Sequence, residues 1–312
     1  MAVAGAGPSP AFVSSLSTPT MNYRHVYHAG NFADVLKHAA LAHIIAYLKR
    51  KPQPFRVIDT HAGTGVYDLG SAEAQKTGEW RDGIGRILAD TPPGDVAEIL
   101  APYLDVVRNE NENAESGDEA LMRYPGSPLL ARRLLRPGDK LVVNEAHPED
   151  GVRLRTLFNK DRAVKVLTLD GWMALKSLLP PPERRGVVLI DPPFEEAGEF
   201  HRLVQALTEA HRRFATGTVV VWYPIKDPRR VRAFHRDVAA LSIPKLLLAE
   251  LCVRAPLSEG ALAGTGLLIL NPPFTLEATL KTLLPYLVRT LGQARDAESR
   301  LEWLTGERMT AR

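Results

Sequence analysis

A chain of 312 residues that is 45% hydrophobic and 24% charged holds enough apolar mass for a full core, which excludes a disordered or fibrous protein. Lysine plus arginine total 39 against 36 aspartate plus glutamate, and a net charge of +3 excludes a surface that attracts polyanions everywhere. Any polyanion site is therefore a patch. The basic clusters are Arg132-Arg133, Arg184-Arg185, Arg212-Arg213 and Arg229-Arg230-Val231-Arg232, each of which also suits a solvated helix face. The lone Cys252 excludes an internal disulfide and fits a reducing compartment, and no stretch approaches the ~18–20 apolar residues needed to cross a bilayer. Residues 1–20 carry no charge, so they lack the basic region of a secretory signal and the arginines of a transit peptide. They are expected to be a disordered extension, with Met21 opening the folded part of a cytoplasmic monomer.

The first element is a helix. Asn31 can cap it, Asp34 stands at its third position, and Phe32, Val35, Leu36, Ala39, Ile44, Tyr47 and Leu48 recur at helical spacing until Pro52 forbids continuation. Short β-rich runs follow at 55–59, 141–145, 164–168, 187–191, 218–222, 245–252 and 267–271, most of them separated by helical stretches. Strands alternating with helices predict an α/β, doubly wound, mainly parallel sheet. One interval breaks the rhythm. About eighty residues separate the first two strands, with a helical pattern over 97–108, a polar run over 109–119 and a Ser-capped helix over 127–135. A small helical insertion, about 69–122, is expected within a single domain spanning 21–312. The last two runs have only a loop of Pro, Ser and Gly between them and should form an antiparallel hairpin.

The strand exits carry the chemistry. Val57-Ile58-Asp59 leads into Thr60-His61-Ala62-Gly63-Thr64-Gly65 at the edge where doubly wound sheets bind nucleotides. A dinucleotide site wants G-x-G-x-x-G, but the third position counted from Gly63 is Asp68. The spacing D-x-x-x-G-x-G instead suits the loop that wraps the amino-acid end of S-adenosylmethionine. The second strand ends on Glu145, placed to accept ribose hydroxyls, and the third is followed by Asp170-Gly171, placed for the adenine edge. Each acid can equally cap the helix after it.

The fourth strand ends in Asp191-Pro192-Pro193-Phe194, beside the place where a methyl group is presented. An exocyclic adenine amine is a poor nucleophile because its lone pair is delocalised into the ring. Two acceptors that hold its N–H groups aim the lone pair: Asp191 is one and the Pro192 carbonyl, with no local N–H competing for it, is the other. Phe194 offers a stacking face for an extruded base, and catalysis comes mostly from orientation. Asn271-Pro272-Pro273-Phe274 is a second copy, but a strand running against the parallel ones delivers it to the wrong edge, so it is read as structural.

Together, Asn22-Tyr23-Arg24-His25, His28-Ala29-Gly30-Asn31 with Ala33-Asp34-Val35-Leu36-Lys37-His38, Asp59-Thr60-His61-Ala62-Gly63, Tyr124-Pro125-Gly126-Ser127-Pro128 and Ile190-Asp191-Pro192-Pro193 resemble the bacterial 23S ribosomal RNA adenine-N6 methyltransferase J family, from about Met21 to near Leu291. The resemblance implies S-adenosylmethionine contacts by Lys37, His38, His61, Ser127, Glu145, Asp170, Gly171 and Asp191, with Asp191 as catalytic acceptor. It also implies that Tyr23 meets the substrate, large-subunit ribosomal RNA, and that the helical insertion is a family feature. Phe194 departs from the tyrosine usual there, keeping the ring and losing a hydroxyl. His25, His28, His38 and His43 lie close in sequence, but no cysteine joins them and methyl transfer needs no metal, so none is expected. Two other readings are DNA adenine or protein glutamine as methyl acceptor, and a catalytically idle RNA-binding or ribosome-assembly protein. An intact Asp191 with an intact Gly63-Thr64-Gly65 loop counts against the idle scaffold.

Overall fold

The computed structural model of the chain describes residues 24–112, 121–256 and 260–306. The expected extension over 1–20, Met21 and Tyr23 lie outside the described residues. The opening helix, α1 (Phe32–Leu48), is capped as its sequence predicts: the Asn31 carboxamide oxygen accepts from the N–H groups of Ala33 and Asp34 at 2.9 and 3.1 Å. The helix is buried on nearly every side, including the polar Asp34, Lys37 and His38.

β1 (Arg56–Asp59) is followed by an excursion: β2 (Val66–Asp68), α2 (Ala72–Thr77), α3 (Ile84–Ala89), α4 (Gly94–Asn109), β3 (Arg123–Pro125) and α5 (Ser127–Leu134). β2 and β3 pair antiparallel, Val66 opposite Pro125 and Asp68 opposite Arg123, so the chain leaves and returns at one place. α5 corrects an expectation. Its cap is Gly126, not Ser127, whose hydroxyl instead donates to Asp59 Oδ2 at 2.6 Å. The remainder alternates: β4 (Lys140–Asn144), α6 (Pro148–Leu157), β5 (Val164–Leu167), α7 (Gly171–Leu178), β6 (Gly186–Ile190), α8 (Glu199–Arg213), β7 (Thr218–Ile225), α9 (Pro228–Ala240), β8 (Leu246–Cys252), β9 (Gly264–Leu270), α10 (Leu276–Leu291) and β10 (Glu298–Thr305).

The main sheet has eight strands in the order β10-β8-β9-β7-β6-β1-β4-β5. From β7 to β5 every pairing is parallel, whereas β9 runs against both β7 and β8, as the loop between the last two apolar runs predicts. β10 was not foreseen. Its Glu298, Arg300 and Glu302 hide the strand signal, and they are the kind of charged residues that protect a sheet edge. Both faces are covered: along β6, Val187 and Leu189 join the core under α1, α4, α5 and α10, while Val188 and Ile190 join the one under α7, α8 and α9. Each such side chain, fully buried, contributes about 1.5–3 kcal/mol. Strand order reverses at β1, with β4 on one side and β6 on the other, and this opens a crevice at the carboxyl edge. Among the described residues no helix is long and apolar enough to cross a membrane.

The cap at Asn31 holds α1 in register, so Asn31→Ala should cost about 1 kcal/mol of stability. A lower urea midpoint at unchanged m-value would show it.

Candidate active site

A cavity of about 500 Å³ opens at the carboxyl ends of β1, β4, β5 and β6, a size that suits a cofactor. Lys37, His38, His61, Gly63, Ser127, Glu145, Asp170, Gly171 and Asp191 all line it, with Pro192 beside them. The structure thus brings together every residue that the resemblance assigns to S-adenosylmethionine.

The glycine loop does not lead into a helix. After Gly65 the chain enters β2, and the helix that packs behind the loop is α5, reached only when the excursion returns. The two ends are stitched where the Gly126 N–H donates to the Gly65 carbonyl at 3.0 Å, which places Gly126 and Ser127 on the cavity wall. Gly63 has φ +61°, which strains any residue with a Cβ, and a Cβ there would stand 2.2 Å from the Tyr67 hydroxyl and push it aside. At Gly171 an added Cβ would stand 2.3 Å from His61 Nε2, so the imidazole would have to shift.

Asn144, fully buried at the end of β4, ties three strand exits together. Its amide nitrogen donates to the carbonyls of Thr60 and Leu169 at 3.1 and 2.9 Å, and its oxygen accepts from Leu169 N–H at 2.8 Å. The next residue, Glu145, accepts from Gly63 N–H and from His147 N–H, both at 2.7 Å. Burial raises its carboxyl above the usual range against those two hydrogen bonds. The α6 cap is therefore His147, not Glu145. Asp170 does cap α7, through one oxygen that accepts from Trp172 and Met173 N–H.

At the exit of β6, Asp191 Oδ2 lies 2.5 Å from Lys37 Nζ, which is also 2.8 Å from Asp34 Oδ1. Burial works against the Lys37 ammonium, but the two carboxylates outweigh it and raise its pKa, so it stays charged. His25 and Lys37 in turn hold the Asp34 carboxyl well below the usual range in spite of burial. Lys37 therefore meets the proposed catalytic acceptor directly. His38 is neutral, pushed down to about 3 by burial, and its Nδ1 is 2.7 Å from the Tyr124 hydroxyl, which is itself 2.9 Å from that of Tyr103. Burial likewise pushes His61 down to about 4.

Two aromatic expectations end differently. Phe194 is absent from the lining: with φ +55° it turns its ring edge to face against Phe200 and Trp222, at 5.0 and 5.8 Å between centroids. The second tetrapeptide lies on the opposite edge, where Asn271 Nδ2 donates to Thr216 O at 3.0 Å beside the start of β7. The N-terminal histidines face separate partners: His25 meets Asp34, His28 meets Glu79, His38 meets Tyr124 and His43 meets Thr275.

Asn144 and Tyr103 stand in no motif, and the partners of Asp34, Asp59 and Tyr124, which do, are not assigned by the sequence. The partner of Asp34 has a local signal, its i,i+3 spacing to Lys37 on a helix. The others act across the fold: Ser127 reaches Asp59 over 68 residues and Tyr124 reaches His38 over 86.

A family model described as "Ribosomal RNA large subunit methyltransferase D, RlmJ" matches residues 52–305. The chain belongs to this family. It is 41% identical over 287 residues to a Haemophilus influenzae protein named Ribosomal RNA large subunit methyltransferase J, and 40% identical over the same length to the Escherichia coli protein of that name. Both alignments cover 92% of this chain and all of the relative. The crystal structure of protein LPL1258 from Legionella pneumophila superposes with a TM-score of 0.79 at 33% identity, covering 90% of this chain and 99% of that one. RlmJ-family membership thus extends through both the sheet and the cavity.

Burial pushes the Asp59 carboxyl up to about 7, against the Ser127 hydrogen bond. The folded chain keeps a proton there that the unfolded chain has released, so this contribution to stability is complete below the ordinary aspartate range and is lost as pH rises through about 7. Asp59→Asn lacks that loss, and denaturation at pH 5 and pH 8 should show the variant gaining stability relative to the native chain at the higher pH. Gly171→Ala pushes a methyl into His61 at the cavity wall, and calorimetry should show S-adenosylmethionine binding weakened by roughly tenfold or more with the fold retained.

Proposed function

We propose that the protein transfers the methyl of S-adenosylmethionine to N6 of one adenine in large-subunit ribosomal RNA, working in the cytoplasm. The observation that carries this reading is the convergence of Asp191-Pro192 with the glycine loop, Glu145 and Asp170 on one cavity. We infer also that 69–122 is an insertion within a single methyltransferase domain.

The cavity fits the cofactor on its own chemistry. Gly63 and Gly171 leave room for close approach, while buried Glu145 and the second oxygen of Asp170 offer acceptors to ribose hydroxyls and an adenine amine. Gly126 and Ser127 bring the first turn of α5 to the loop. When bound, S-adenosylmethionine supplies a methyl group on a cationic sulfur. The remaining work falls to the protein. Lys37 holds Oδ2 of Asp191, and among the described residues no hydrogen bond occupies Oδ1, which is left to accept an N–H of the target amine. The Pro192 carbonyl accepts the other, so the nitrogen lone pair is aimed away from the ring plane. Asp191 is also the base nearest the proton that the amine sheds once alkylated.

Incubation with labelled S-adenosylmethionine and deproteinised large-subunit RNA from cells lacking the gene should place label in N6-methyladenosine. Asp191→Ala should lower the rate at saturating S-adenosylmethionine by roughly a hundredfold or more. Label in DNA or in protein but not in RNA would overturn the assignment.

A further inference from the structure

The basic cluster in 226–236 plays no part in the chemistry above. α9 buries Val231, Phe234, His235 and Val238 against the sheet. At 100° per residue, Arg229, Arg232 and Arg236 fall within one stripe on the opposite side, and all three are exposed, as are Lys226 just before the helix and Arg230 on its flank. Among the described residues none of these five cations forms an ion pair, although the arginines of α8 do: Arg212 and Arg213 both bind Glu209. The carboxylate of Asp227, inside the cluster, accepts from Arg229 N–H as the cap of α9. A row of guanidinium groups about 10 Å long with no carboxylate between them is a repulsive arrangement that invites an extended anion.

Its position matters as much as its charge. β7 lies beside β6 and parallel to it, so α9 starts from the same sheet edge that delivers Asp191. The two are joined by aromatic packing: the Arg230 guanidinium sits 5.8 Å from the Phe200 ring centroid, and Phe200 packs against Phe194, three residues after Asp191.

We propose that the Arg229–Arg232–Arg236 stripe, with Lys226 and Arg230 at its head, is the surface on which the RNA backbone flanking the target adenine docks. This rests on the reading of the substrate as RNA. The stripe meets phosphates, so it positions the strand without reading bases. With a net charge of only +3 over the whole chain, such a patch is the means by which a nearly uncharged protein grips a polyanion.

The test is the salt dependence of binding to deproteinised large-subunit RNA by the native chain, by Arg229→Ala/Arg232→Ala/Arg236→Ala and by Arg212→Ala/Arg213→Ala as a control for charge alone. The slope of log affinity against log salt should fall by about two units in the triple variant, at roughly 0.7–0.9 for each phosphate no longer neutralised, and stay at the native value in the control. KM for RNA should rise roughly tenfold or more in the triple variant at physiological salt, with affinity for S-adenosylmethionine unchanged. If the native chain methylates RNA and the triple variant matches it in slope and KM, or the control falls equally, this inference is overturned and the RNA assignment stands. If the native chain binds S-adenosylmethionine but neither binds nor methylates RNA, both readings are overturned.

Discussion

The geometry of the cavity hangs on one buried carboxamide. Asn144 ends β4 with its side chain turned sideways, donating to Thr60 and Leu169 and accepting from Leu169, and so holds the exits of β1 and β5 at fixed distances from its own strand. Glu145 and the glycine loop take their places from it, because the Ala62 N–H donates to the Asn144 carbonyl and Gly63 N–H to the Glu145 carboxylate. A buried amide with both donors and its oxygen engaged specifies one arrangement of three loops, whereas the same groups left unpaired would each cost about 1–3 kcal/mol. Asp170, on the third exit, then lines the same cavity.

A second constraint is the split in the glycine loop. A doubly wound sheet usually runs from first strand to loop to helix without interruption, and here β2, three helices and β3 intervene between Gly65 and α5. The pairing of β2 with β3 brings the ends together, so Ser127 can still reach Asp59. The excursion also builds the wall on that side: Tyr103 from α4 and Tyr124 from β3 fix His38 of α1 through a chain of hydroxyls. Neutral His38 and His61, together with an Asp59 pushed up to about 7, make this wall less charged than its composition suggests. The fixed charge is concentrated instead where Lys37 meets Asp34 and Asp191.

Much of this was legible in the sequence because strands buried on both faces read as continuous apolar runs, and Val187 to Ile190 is such a run. The exits were legible for the same reason, since a polar residue that ends an apolar run stands at the sheet edge. What escaped has a common cause. β10 is an edge strand, half exposed and charged, so no apolar pattern marks it. Ser127 reads as a cap by local rule, yet a buried carboxylate 68 residues away claims its hydroxyl. The Phe194 ring was assigned by motif, but its backbone conformation and the neighbouring Phe200 and Trp222 decide where it points. In each case a long-range partner outweighs the local signal.

The duplicated tetrapeptide shows the same principle from the other side. Asp191-Pro192-Pro193-Phe194 and Asn271-Pro272-Pro273-Phe274 both follow apolar strands, and residue chemistry alone separates them poorly, since both first residues are hydrogen-bond acceptors. Strand direction separates them completely. β6 runs parallel to β1 and β7 and delivers Asp191 to the cavity. β9 runs against β7, so Asn271 arrives at the start of β7 and directs its side chain to the carbonyls of Thr216 and Gly217, while Thr218 Oγ1 donates to its own carbonyl. There the amide closes a turn, and Phe274 after it is 80% exposed, its ring edge to face with Tyr47. The chemistry that a D/N-P-P-F sequence can perform thus depends on which edge of the sheet its strand points to, and that direction is seen in the antiparallel pairing of β9 with both β7 and β8.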